Sequence, residues 1–217
     1  MSRSVVTDAK PSLRGVSHHI AFYVAACAGI ALVAATHDAR SMAATLVYAV
    51  LLAAMFGVSA SYHRIDWGPR GRAWWQRADH AMIFAFIAGT YTPLCMLGLD
   101  RAAGPRLLAL VWTCAALGIV RALLWPTAPR AVSASLYVVV GWLAIAYLPE
   151  ILRAFDPLGL ALMLAGGVCY TTGAVIYALR RPDPMPAVFG YHEVFHALVI
   201  VAGGCHFAAI ARVALAS

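Results

Sequence analysis

Seven stretches of this chain are long and apolar enough to cross a bilayer, at about 18–36, 42–63, 78–98, 103–124, 131–148, 157–179 and 191–212. A helix needs roughly 20 apolar residues to span a hydrocarbon core about 30 Å thick. No water inside that core answers backbone N–H and C=O groups, so each span must bond within itself or close into a barrel. None of the runs shows the period-two alternation of a strand, which selects the helix. The chain therefore reads as an all-α integral membrane protein, a seven-transmembrane-helix bundle. Only 12% of its 217 residues are charged, about half the share of an ordinary soluble domain. One membrane domain over 18–213 accounts for the length, after a short polar tail over 1–17 that carries Arg3, Lys10 and Arg14. Val33-Ala34-Ala35 resembles a signal-peptidase site, but the run and its polar lead are both long for a signal, so the first span is expected to stay uncleaved.

The formal charge is +7, from 16 Lys and Arg against 9 Asp and Glu. The basic residues fall between apolar runs, so membrane orientation explains them and no nucleic-acid partner is implied. Short connections make neighbouring helices antiparallel, and seven spans place the termini on opposite sides. One side then gathers Arg3, Lys10, Arg14, Arg64, Arg70, Arg72, Arg77, Arg121, Arg130, Arg180 and Arg181. The other holds Arg40, Arg101, Arg106, Arg153 and Arg212. The asymmetry predicts a cytoplasmic N-terminus and a C-terminus outside. Arginine outnumbers lysine fifteen to one and alanine is abundant, which hints at a GC-rich bacterial genome and so at the bacterial inner (plasma) membrane. The five cysteines all lie in apolar runs and form no CxxC pair, so they read as packing residues rather than a disulfide framework.

Polar groups placed by depth converge. Ser59 and His63 end the second span and share a helix face; Asp79 opens the third; His192 and His196 open the seventh, one turn apart. All five fall in the leaflet predicted to be cytoplasmic. Ionisable groups in a bilayer are costly and mark function by default. Three imidazoles suit zinc, with a fourth position free for water or a substrate carbonyl. Zinc draws the pKa of bound water toward about 7. In such a site Asp79 would handle the water's proton and Ser59 would hydrogen-bond nearby, so His63, His192 and His196 are the expected metal ligands and Asp79 and Ser59 the expected catalytic groups. His206 lies about 21 Å along an ideal helix from His192, too far for the same metal, and reads as an interior hydrogen-bonded histidine. His80 points about 100° away from Asp79. His18, His19 and His37 read as interfacial.

Two motif readings compete. His192-Glu193-Val194-Phe195-His196 matches HExxH, in which the Glu serves as general base of a zinc protease. That reading needs one more ligand, and Asp156, the tempting acid, falls in the opposite leaflet. The other reading uses the whole chain. Ser59-Ala60-Ser61-Tyr62-His63, Arg77-Ala78-Asp79-His80-Ala81-Met82-Ile83-Phe84, Ile87-Ala88-Gly89-Thr90-Tyr91-Thr92-Pro93, Gly190-Tyr191-His192-Glu193-Val194-Phe195-His196 and Cys205-His206-Phe207 together resemble the hemolysin III family, itself similar to the progestin and adipoQ receptors, adiponectin receptors included. The resemblance implies a seven-helix bundle with zinc near the cytoplasmic face, held by His63, His192 and His196, with Asp79 and Ser59 beside it.

Alkaline ceramidases in the wider superfamily make a zinc-dependent hydrolase of lipid amides or esters the leading expectation, with membrane lipids as partners. Two alternatives stand beside it: a non-catalytic sensor or regulator of lipid homeostasis with a structural zinc, and a cytolytic membrane protein, as the family name implies. The chain shows no long amphipathic helix and no pore strand, and its tail is too short to be a receptor's N-terminal domain.

Overall fold

The computed structural model describes residues 10–216; Arg3 and the other first nine positions lie outside the described residues, as does Ser217. Seven helical spans are long and apolar enough to cross a membrane. They are α1 (Val16–Ala34), α2 (Ala39–Arg64), α3 (Pro69–Pro93), α4 (Ala103–Leu124), α5 (Arg130–Gly141) continued by α6 (Leu148–Ala154), α7 (Pro157–Leu179) and α8 (Tyr191–Ala214). Among the described residues no strand forms beyond an isolated bridge between Met185 and Phe189 in the α7–α8 loop. All five cysteines are free.

Neighbours in sequence pack side by side, α1 on α2, α2 on α3, α3 on α4 and α7 on α8. Helix α5 lies on α7, and α8 returns to α1 to close the ring. Leu107, Val111, Phe84, Tyr91 and Ala209 centre one buried cluster, and Tyr48, Leu52, Phe56, Val199 and Ile210 centre a second. Large apolar side chains such as Ile30, Leu117, Leu124 and Leu179 stay exposed on the outer faces, where lipid tails rather than water would meet them.

Helix α3 starts at Pro69, well before the apolar run at 78. Its first turns carry Arg70, Arg72, Trp74 and Trp75, so hydropathy sees only the part in hydrocarbon while the helix extends into the headgroup layer. Proline at the first turn loses no helical bond. Near its other end, Pro93 closes the α-helix and a π-turn runs over Leu94–Gly98. The fifth span also departs from expectation. The apolar run ends at 148, just before Pro149, yet that proline sits in the first turn of α6 and the span continues to Ala154. A 3₁₀ turn over Leu143–Tyr147 joins the halves. Broken helix inside a bilayer needs its freed backbone groups answered. Tyr91 of α3 supplies both answers: its hydroxyl donates to the Gly141 carbonyl at 2.7 Å and accepts from the Ala144 N–H at 2.8 Å.

Residues 10–15, read from sequence as part of a polar tail, form a strap across one end of the bundle. Ser12 N–H donates to the Ala187 carbonyl at 3.0 Å and Leu13 N–H to the Val188 carbonyl at 3.2 Å. Partial burial of the Lys10 ammonium, with Arg72 and Arg14 nearby, lowers its pKa. Gly15 then turns the chain into α1 with φ +76°, and a Cβ there would lie 2.6 Å from the His63 Cβ. Both the left-handed backbone and the close approach require glycine.

Two outcomes are expected. A Cβ on Gly118 would fall 2.4 Å from the buried Phe84 ring, so Gly118→Ala should cost about 1–3 kcal/mol by overpacking, read as a lower Tm in detergent. At the opposite end, Asp156 caps α7 through Gly159 N–H and pairs with Arg212. The hydrogen bond from Arg212 holds the Asp156 carboxyl below its ordinary 3.8. A depressed carboxyl stabilises the fold at neutral pH and loses that contribution as pH falls through the folded value. Asp156→Asn keeps the cap, so its Tm deficit should be full at pH 7, begin to shrink near 3.8 and vanish only below the depressed folded value.

Candidate metal centre

The last turns of α2 and the first turns of α8 meet beneath the strap. One ring nitrogen from each of His63, His192 and His196 lies within 4.8 Å of the other two. The Nε2 atoms of His63 and His192 are 3.1 Å apart. Tetrahedral zinc with ligands at 2.0–2.1 Å places neighbouring nitrogens about 3.3 Å apart, so this spacing is already near the one an ion requires. His63 and His196 are buried, and the His196 Nδ1 has no hydrogen-bond partner among the described residues. Three imidazole donors packed against one another at this spacing fit a divalent metal.

The first turn of α8 shows why these side chains converge. Residues four apart share a helix face, so His192 and His196 both point to α2. Asp79, near the bundle end of α3, places Oδ2 3.9 Å from His63 Nε2, beside the cluster rather than within it. Ser59, one turn before His63, is buried, and its Oγ lies 2.9 Å from the His18 Nδ1. The five expected residues therefore occur together, as three donors flanked by a carboxylate and a hydroxyl.

Glu193 does not join them. One position from His192 is about 100° round the helix, and the carboxylate turns away from the cluster. Its Oε2 accepts from the Gly190 N–H at 2.9 Å, capping α8, and its Oε1 pairs with Arg14 of the strap. Asp156 sits at the far end of the bundle on Arg212. Neither acid needed by the protease reading reaches the histidines.

Four residues escaped the sequence reading. His18, expected at the interface, is buried: its ring stacks on His196 and its Nδ1 lies 2.9 Å from Ser59 Oγ. A signal was present, since His18 shares its face with Ala21, Ala25 and Gly29, and small residues at helical spacing mark the packed face of a membrane helix. Arg14 was counted only as charge. Arg121 and Arg130, counted likewise, turn inward: Arg121 donates to Ser133 and lies over Phe84, and Arg130 lies between Tyr177 and Tyr191. Tyr177 in turn packs edge-on to His192. His19 and His37 are exposed, as expected for interfacial groups. His206 is interior and bonds the Met163 carbonyl at 3.1 Å.

A family model described as "Haemolysin-III related" matches residues 7–207. The chain is 30% identical over 162 residues to "Hemolysin-3" of Bacillus cereus, an alignment covering 75% of this chain and 71% of that protein. It is also 30% identical over 122 residues to "Hemolysin-3 homolog" of Bacillus subtilis (strain 168), covering 56% and 54%.

Glu193→Ala leaves the Arg14 guanidinium without its buried partner and uncaps α8. Breaking a buried pair this way should cost about 3–5 kcal/mol. A double-mutant cycle with Arg14→Gln, followed by thermal melting in detergent, checks it; additive effects would show that the pair carries no coupling.

Proposed function

This chain belongs to the haemolysin-III-related family and is a multi-pass protein of the bacterial plasma membrane, and from that premise we propose that it is a zinc-dependent hydrolase of lipid amides or esters. The observation that carries the reading is the cluster of three imidazole donors within 4.8 Å, flanked by a carboxylate 3.9 Å from one of them.

His63, His192 and His196 would hold the ion. When bound, zinc polarises an acyl carbonyl and makes water nucleophilic near neutral pH. Asp79 accepts the proton of the attacking water and returns it to the departing nitrogen or oxygen, so the acyl C–N or C–O bond breaks as the new C–O bond forms. Such proton transfer by a positioned side chain is worth about 10²–10⁴ in rate. Ser59 would hydrogen-bond nearby. Arg130, whose Nη1 is buried without a partner among the described residues, offers positive charge beside the site for the carboxylate that hydrolysis releases. The arginine distribution supports a cytoplasmic leaflet for this end of the bundle, where a membrane lipid would enter sideways with its acyl chain still in hydrocarbon.

A second reading is favoured by one observation. The strap is tied to the α7–α8 loop and to Glu193, and two of the three rings are buried, which also suits a structural metal in a regulator that turns nothing over.

Metal analysis of detergent-purified protein separates these. Wild type should hold about one zinc per chain, lost in His63→Ala and His196→Ala. Asp79→Asn should keep zinc while lipid-amide turnover drops by about 10²–10⁴. Zinc without any turnover selects the regulator; a folded wild type without metal sinks both readings.

A further inference from the structure

We propose that His18 is a positioning residue of the metal centre, setting at once the plane of the His196 ring and the direction of the Ser59 hydroxyl. The inference rests on the cluster holding a metal, as proposed above. His18 comes from α1, a helix that contributes none of the three donors. Its ring lies parallel to that of His196, with centroids 3.7 Å apart and planes 10° apart. Phe56 packs edge-on behind it at 5.0 Å. Nδ1 lies 2.9 Å from Ser59 Oγ, and Ser59 sits one turn before His63, whose Nε2 is 3.9 Å from the Asp79 carboxylate. One imidazole therefore joins the His196 ring on α8 to the serine on α2.

A simple packing role does not account for this. A phenylalanine would fill the same face without the cost of taking two ring nitrogens out of water. The torsion that rotates a histidine ring about its Cβ–Cγ bond is broad, so neighbours must fix the plane. Metal-bound histidines usually achieve this through a hydrogen bond to the second ring nitrogen. His196 Nδ1 has no such bond among the described residues, and the parallel His18 ring takes its place.

Three variants separate the two contacts. His18→Phe keeps the stack and loses the hydrogen bond. His18→Asn keeps an amide near the Nδ1 position and loses the stack. His18→Leu loses both. The readouts are zinc release to a competing chelator and the visible spectrum of the cobalt(II)-substituted protein, each compared with the melting temperature of the metal-free form. His18→Leu should release zinc at least about tenfold faster and shift the cobalt bands. His18→Phe should return the release rate to within about twofold of wild type, whereas His18→Asn should not. A monodisperse His18→Leu protein with wild-type release and an unchanged cobalt spectrum overturns the proposal. If His18→Leu does not fold, equal release rates in His18→Phe and His18→Asn overturn it instead. Wild type that binds no zinc is a different failure, which removes the proposed function itself.

Discussion

Inside a bilayer every polar group must be answered by another within the protein, because nothing in the hydrocarbon will do so. Most of this bundle follows that constraint by short local means. The hydroxyls of Thr45, Thr90, Thr92 and Thr171 each return to the carbonyl four residues earlier. Where the fifth span breaks, the Tyr91 hydroxyl mends both sides. The end of the bundle that holds His63, His192 and His196 departs from this economy. There three imidazoles face one another, and two of them share a contact between acceptor-capable nitrogens. Such a cluster is poor as a hydrogen-bonding network and good as a ligand set, and that contrast is the physical case for a metal.

The fold was legible because hydropathy reports the constraint directly: seven apolar runs became seven spans. The site was legible because helical spacing and depth are both readable from sequence. Ser59 and His63 share a face, as do His192 and His196, and counting spans placed Asp79 at the same level. What escaped had no such arithmetic. The start of α3 at Pro69 lies among arginines and tryptophans that hydropathy scores as loop. Pro149 has the same identity whether it ends a helix or begins one, and only the Tyr91 contacts around Gly141 and Ala144 decide which. The strap over residues 10–15 is tied by backbone bonds to Ala187 and Val188, contacts between distant segments that no periodicity announces. His18 fell between these cases, since its small-residue face pointed inward while its place near the start of the span suggested the interface.

HExxH illustrates how a motif depends on what surrounds the helix. The two histidines point where the motif says they should, but the acid between them has another use. With Gly190 as the residue before the helix, Glu193 stands at the third helical position and reaches back to cap it. Its other oxygen neutralises Arg14, whose strap crosses above. The same five letters therefore give a candidate ligand pair and a latch, and the acid beside the donors is Asp79 from a different helix.

That division of carboxylates has an electrostatic consequence. His63, His192 and His196 would bring a divalent ion's two positive charges into a region of low dielectric, near a helix N-terminus whose dipole is itself positive. Glu193 cannot offset them, because Arg14 already does so for Glu193. Asp79 answers one charge, which leaves one unbalanced. Arg121 and Arg130, turned inward and without carboxylate partners among the described residues, add to the same excess. A site built this way is most stable when an anion occupies it. Under the proposed reaction, cleaving a lipid acyl bond would generate one in place, a carboxylate attached to a chain that remains in the bilayer. The charge balance would then favour product over neutral substrate, and release of the acid would be the step that the site's own electrostatics oppose.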